Sequence, residues 1–285
     1  MKKYILLPAA LAGGILAFVL RLFQNRLGFD DVTGLPIPGH ISGLALIVWF
    51  LLTAAALALL ARRLPKDTGD SPAFPAAFTT DSSTLLCLPV AGVLLMALSG
   101  LVDLVEALTR TDLLTRLRAA ADPYAAVEDV SLSLASNAQL LMGLLTLAAA
   151  AALLLAAVSC RSREEPRPFN SDLLLAMPVA LVVRLVLIYR LDFVDPSLEA
   201  YYVELLALVF LTLAFYRLSS FGFKAGRTRR FALYGGLAVV FSLSALADGG
   251  PLLSSLLLYA GGAVTLLGFL LLRLARPDEA PAASV

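Results

Sequence analysis

"LVVRLVLIYRLDF" (Leu181–Phe193) decides how this chain folds. Up to Tyr189 it is aliphatic at every position but one, Arg184. It shows no strand-like alternation of apolar and polar residues. Extended backwards through "DLLLAMPVA", the apolar run covers about 20 residues, the length of helix that crosses a bilayer core. The stretch is a membrane-spanning helix with a guanidinium inside it, and the rest of the sequence follows the same pattern.

The chain has 285 residues, 60% of them hydrophobic and 15% charged, with a mean hydropathy of +0.87. A soluble domain carries about a quarter charged residues. The class is all-α, a polytopic integral membrane protein. Eight spans can be placed at about 4–22, 41–61, 84–108, 134–159, 172–191, 199–217, 231–247 and 252–273, each close to the ~20 residues required. The first has the charged start of a signal peptide. Its apolar run is too long for one, and "RLFQNR" follows it rather than a small-residue cleavage site, so it reads as a retained span. The longest connection, Thr109 to Ser133, looks helical itself. Asp122 is its N-cap and Pro123 its first helical residue, leading into the fourth span. Residues 1–285 therefore read as one integral membrane domain, with no soluble domain.

Lysine and arginine favour the cytoplasmic flanks of spans. With the N-terminus inside, fifteen basic residues fall on inner flanks and six on outer ones (Arg21, Arg26, Arg110, Arg116, Arg118, Arg190), with Arg184 the last of the 22. The expected location is a bacterial-type cytoplasmic membrane with both termini cytoplasmic.

The chain also echoes itself. "LLCLPV" at Leu85 and "LLAMPV" at Leu174 open two spans 89 residues apart, and at the same offset "LVDLVE" faces "RLDFVD". The return helices share "QLLMGLL" and "ELLALVF", with weaker counterparts at Ser42 and Ser255. This suggests four repeated helical hairpins of parallel orientation. Proline near the start of three odd-numbered spans (Pro8, Pro89, Pro178) offers places for broken helices.

Arg184 lies about 10 Å below the outer boundary, too deep for easy escape to water. Glu204 lies at a similar depth on the next helix, so the two are expected to form a buried ion pair. That pair is either a clasp between helices or a substrate or ion site. Ser42, Gln139 and Ser255 align with Glu204 in the other return helices, and a ring of four polar side chains at one depth would suit either a cavity or interhelical hydrogen bonding. At the outer span ends, Asp103/Glu106 and Asp192/Asp195 are carboxylate pairs spaced three apart. They would suit a hard cation or a cationic solute, or stand as ordinary solvated helix ends.

Several activities drop out. His40 is the only histidine, and HExxH is absent, so zinc proteolysis is excluded and no metal ligands are assigned. There is no phosphate-binding glycine loop, nucleotide fingerprint or haem-attachment motif, and no cofactor is expected. No basic tract is dense enough for nucleic acid. Cys87 and Cys160 read as free thiols near one membrane face. Gly13-Gly14, Gly235-Gly236 and Gly261-Gly262 are positions of close helix packing. Tyr189, Tyr201 and Tyr202 fit an interfacial aromatic belt, and Trp49 packs deeper.

The chain is not expected to be an enzyme. Two readings remain: a small-solute or ion permease, or the membrane subunit of a transport complex; and a non-transporting scaffold, sensor or assembly partner. The implied partners are the lipid bilayer and, for the second reading, a membrane or cytoplasmic protein. The basic loop "YRLSSFGFKAGRTRR" could dock such a partner or anionic lipid.

Overall fold

The computed structural model describes residues 5–30, 37, 39–65, 74–121, 128–161, 169–192, 198–248 and 253–275. Side chains are described throughout these except at 110–121, 128–136, 190–192 and 198–201. Eight helices follow one another: α1 (Leu6–Leu27), α2 (Ile41–Arg62), α3 (Ser83–Ala121), α4 (Glu128–Ser159), α5 (Ala176–Asp192), α6 (Leu198–Ser219), α7 (Thr228–Ala245) and α8 (Leu253–Ala275). All eight are long and apolar enough to cross a bilayer, so the protein is a multi-pass membrane bundle. The described residues contain no strand, only an isolated bridge between Thr80 and Arg161.

Two helix limits differ from the sequence reading. Helix α1 continues to Leu27, which puts Arg21 inside a helix instead of on its flank. Helix α3 continues through the end of its span to Ala121, while α4 starts at Glu128 and runs unbroken to Ser159. Asp122 and Pro123 lie outside the described residues. The prolines break nothing. Pro8 falls in the first turn of α1, where the missing N–H has no intrahelical partner to lose, and Pro178 follows the 3-10 turn Ser171–Leu175 that runs directly into α5. Pro89 sits inside the continuous α3, with Gly268 of α8 packed against its ring.

Consecutive helices pack as antiparallel pairs, as hairpins require, but the four pairs are not placed alike. Helix α8 packs on α3, α3 on α4, α4 on α5 and α5 on α6, and α6 touches α8 to close a five-helix ring. Helix α7 backs this ring against α6 and α8; α1 lies on α7, and α2 lies outermost on α1 and α7. Burial follows this order: 72% of the α7 span is buried against 28% of α2. Lipid is as apolar as leucine, so the peripheral helix must be the greasy one, whereas the central ones can carry hydroxyls. Ser242, Ser244, Ser254 and Thr265 accordingly sit buried on α7 and α8.

Small residues set the spacing of the ring. A Cβ on Gly92 would lie 2.4 Å from Thr265 N and 2.7 Å from Gly261 O, so α3 and α8 touch backbone to backbone. Gly100 and Gly143 do the same for α3 and α4, each 2.9 Å from the other's carbonyl by the same measure. The expected Gly13-Gly14 pair meets Thr53, Leu243 and Val240 where α1 crosses α2 and α7.

The bundle has two unlike ends. At the start face, where odd-numbered helices begin, the segment carrying Phe74 and Phe78 folds into the bundle, and both rings are buried. Phe78 meets Phe221, Phe231 and Phe269 with centroids 5.1–6.0 Å away, edge to face, and Phe74 meets Phe169 at 5.3 Å. Arg273 ties this plug down by donating to Ala77 O at 3.3 Å and Thr228 Oγ1 at 3.0 Å. At the opposite turn face, where odd-numbered helices end, the buried charges collect.

Candidate functional site

Arg184 crosses the five-helix ring. Its Nη1 donates to Asp103 Oδ2 on α3 at 2.6 Å and its Nη2 reaches Ser255 Oγ on α8 at 3.5 Å. Both partners of the ion pair are almost fully enclosed, 2% and 1% exposed. The Nε of Arg184 makes no hydrogen bond, and neither does Ser254 Oγ one residue from Ser255. A buried donor left unbonded costs about 1–3 kcal/mol. The clasp therefore neutralises its charge without satisfying all its polar groups.

This corrects the expected Arg184–Glu204 pair. Matching depth on adjacent helices does not fix which way a side chain points, and Arg184 looks across the ring to α3. Glu204 accepts instead from Tyr259 Oη of α8 at 2.8 Å. Tyr259 is one turn beyond Ser255, so α8 carries a contact to each of the two charged residues.

The carboxylate pair Asp103/Glu106 is also divided. Asp103 belongs to Arg184, while Glu106 accepts from Gln139 Nε2 on α4 at 2.8 Å. The two carboxylates thus serve different neighbours instead of converging on one cation. Among the described residues no cluster of three metal-ligating side chains occurs. Asp195 and the side chain of Asp192 lie outside the described residues. The ring of four aligned polar positions does not form either. Glu204 and Ser255 approach the five-helix ring and Gln139 stays on the α3–α4 contact, but Ser42 is on the peripheral α2.

A second buried charge cluster went unread in the sequence. Arg21, 1% exposed, donates from Nε to Asp248 Oδ1 in the 3-10 turn that follows α7 (Leu246–Asp248) and from Nη1 to Gln24 Oε1 at 2.8 Å. Asn25 Nδ2 also donates to Asp248 Oδ1, at 3.2 Å, while Asp248 Oδ2 is buried without a hydrogen bond. Tyr202 lies under the Arg21 guanidinium, 5.2 Å from carbon to ring centroid, and donates to Gln24 Oε1 at 3.3 Å. A cation over an aromatic face gains a further attraction, of order 1 kcal/mol or more once desolvated. The signal for this cluster was present, because Arg21 is followed by six more residues with no helix breaker before Gly28. Tyr202, partly buried, consequently serves as a partner of Arg21 and Gln24 more than as a belt residue, whereas Tyr189 is half exposed.

Beside this cluster a cavity of about 420 Å³ opens at the turn face, lined by Gln24, Gly28, Ile37, Gly39, His40, Ser42, Gly43, Leu44, Ile47 and Tyr202. His40 caps α2: its Nδ1 accepts from Ser42 N at 3.3 Å and lies 2.7 Å from Ser42 Oγ. Chemically the two clusters offer carboxylates and guanidinium groups poised at membrane depth, and the cavity offers a polar wall beside apolar ones. No protein-family model, curated protein or solved structure matches the chain.

Proposed function

We propose that the chain is a permease for a small solute or ion, or the membrane subunit of a transport complex, and that Arg184–Asp103 is the switchable element of its pathway. The observation that carries this reading is the ion pair itself. It spans the five-helix ring and leaves Arg184 Nε and Ser254 Oγ unbonded inside it. A proton or a cation on Asp103 would remove the counter-charge of Arg184, and an uncompensated buried charge costs about 3–5 kcal/mol. That approaches the ~5.5 kcal/mol that takes a two-state equilibrium from 1:99 to 99:1. The phenylalanine cluster of Phe74 and Phe78 packs into the start face, so the switch would act from the opposite end of the bundle. The reading assigns the chain no catalysis. It puts the bundle in a bacterial-type cytoplasmic membrane with the start face inside.

The alternative is a non-transporting scaffold, sensor or assembly partner, in which both ion pairs only fix packing. It is favoured by the fact that the charges of both Arg184 and Arg21 are directly countered.

A double-mutant cycle with flux separates the two. Arg184→Gln and Asp103→Asn singly should each cost roughly 3 kcal/mol, and the double variant should recover much of that loss because no charge is left unpaired. In proteoliposomes screened with cations and organic anions by charge movement, the permease reading expects a wild-type current that the folded double variant lacks. A wild-type protein silent across the panel, or a double variant that still carries the current, would reject the assignment.

A further inference from the structure

One side of α7 ends at the start face in a cluster of positive charge. Among the described residues, α2 and α6 flank α7 without forming an interface of their own, so α7 has a side between them. That side carries Arg230, Tyr234 and Phe241, which share a helix face by their spacings of four and seven. The contacts place it. Phe241 stacks on Phe210 of α6 with centroids 4.7 Å apart and meets Phe50 of α2 at 4.5 Å. Tyr234, one turn beyond Arg230, lies under Arg217 of α6, 5.4 Å from guanidinium carbon to ring centroid. The neighbouring Arg229 turns away to α2, where its Nε donates to Leu64 O at 2.7 Å.

Arg217 and Arg230 are charges without a counter-charge. Arg217 is bracketed by Tyr234 and by the half-exposed Tyr216, whose centroid is 5.7 Å away, and its Nε is buried without a hydrogen bond. Aromatic faces orient a guanidinium and attract it, but they do not neutralise it. Arg230 is exposed. Among the described residues neither forms an ion pair. The sequence has no aspartate or glutamate between Glu204 and Asp248, whereas that stretch holds Arg217, Lys224, Arg227, Arg229 and Arg230. Arg229 and Arg230 also stand in the first turn of α7, where they add to the positive pole of the helix instead of offsetting it.

We infer that this side of the bundle binds an anionic phospholipid from the leaflet at the start face. Its phosphate sits on Arg217 and Arg230, and an acyl chain runs from Tyr234 towards the stack of Phe50, Phe241 and Phe210. Guanidinium groups match phosphate oxygens in pairs, and basic residues beside a span draw anionic headgroups. A free phosphate would use the charges and leave the apolar side unused, whereas a phospholipid uses both. The site is at the opposite end of the bundle from Arg184–Asp103 and requires no transport, so either assignment can fail without the other.

The test is native mass spectrometry of the full chain from detergent micelles holding equal amounts of dioleoyl phosphatidylglycerol and dioleoyl phosphatidylcholine, with thermal unfolding in each lipid alone. One retained phosphatidylglycerol per chain is expected, favoured at least fivefold over phosphatidylcholine, with a melting temperature raised by the anionic lipid only. Arg217→Gln and Arg230→Gln should each cut retention at least threefold. Arg230 is exposed, so its variant keeps the test decisive if Arg217→Gln misfolds. Arg161→Gln removes an equal, exposed charge at the end of α4 and should change nothing. Equal retention of the two lipids, or unchanged retention in folded Arg230→Gln, would overturn the assignment. So would an equal loss in Arg161→Gln, which would mean diffuse attraction, or inorganic phosphate raising the melting temperature as much as the lipid does.

Discussion

At the scale of single residues, the chain places its charges by pairing them, and pairing was only half legible in the sequence. Arg184 was visible because a lone arginine in an aliphatic run has no disguise. Its partner was not, since sequence spacing gives depth along a helix but not the rotation that aims Arg184 at Asp103 instead of Glu204. Arg21 was hidden by the opposite error: near a span end, a buried arginine and a flanking one look the same. Cys160 offers a cleaner test of burial. It closes α4 with its Sγ donating to Ala156 O at 3.3 Å, it is fully enclosed, and burial pushes its thiol from the ordinary 9.0 up to about 12. The thiolate is the nucleophile that adds to maleimide, so at pH 8 Cys160 should stay unmodified in the folded protein and react once the chain is unfolded in dodecyl sulfate. The sign of the pH effect follows from proton counting. Below pH 9.0 folded and unfolded chains both hold this proton; between 9.0 and about 12 only the folded chain does, so its share of stability falls as pH rises through that window. Melting temperatures of wild type and Cys160→Ala, compared from pH 8 to 10.5, should converge at the alkaline end. Parallel curves would show that Cys160 is not enclosed.

At the scale of elements, the sequence disclosed the helices and concealed their contacts. Spans of the right number, order and approximate limits follow from hydropathy alone, because every backbone amide in lipid must be bonded within its own helix. What brings helices together is a matter of a few small residues that no composition highlights. The glycine pairs Gly13-Gly14, Gly235-Gly236 and Gly261-Gly262 were legible, whereas isolated Gly92, Gly100, Gly143 and Gly268 were not, although they make some of the tightest approaches. The phenylalanine plug was missed for a related reason. "FPAAF" in a connecting segment has too little length to register as an element, yet Phe78 is buried among three other rings. Two glycine substitutions separate tight contact from loose. A methyl at Gly92 would come 2.4 Å from Thr265 N and Oγ1, where backbone cannot yield, whereas one at Gly236 would meet Leu57 Cδ1 at an ordinary 3.4 Å. Gly92→Ala should therefore cost roughly 1–3 kcal/mol through forced separation of α3 and α8. Gly236→Ala should be neutral or gain up to ~1 kcal/mol from helix propensity. Thermal unfolding in detergent reads both, and equal shifts would mean that α3 and α8 do not meet at Gly92.

At the scale of the whole molecule, the two faces of the bundle differ in how they hold positive charge, and that difference fixes an expected orientation. On the start face Arg62, Arg63, Lys224, Arg227 and Arg230 are exposed, available to anionic lipid and to the machinery that retains basic flanks in the cytoplasm. On the turn face, Arg21 and Arg184 are withdrawn into ion pairs. Removing Arg21 from the six basic residues assigned to outer flanks leaves five, against fifteen inside, so the asymmetry is sharper with the structure than without it. The chain should sit with its start face, and hence the beginning of α1 and the end of α8, in the cytoplasm. The cavity beside Gln24 would then open outside, and the Phe74–Phe78 segment would lie on the inner side. Reporter fusions in a bacterial host test this directly. A fluorescent protein joined after Ala275 should mature and fluoresce, because it folds in the cytoplasm. Alkaline phosphatase joined after Asp248 should be active, because its disulfides form only outside. The reverse pattern would invert the bundle and put the cavity on the cytoplasmic side. The basic face would then lie outside, against the charge bias that keeps such flanks in the cytoplasm.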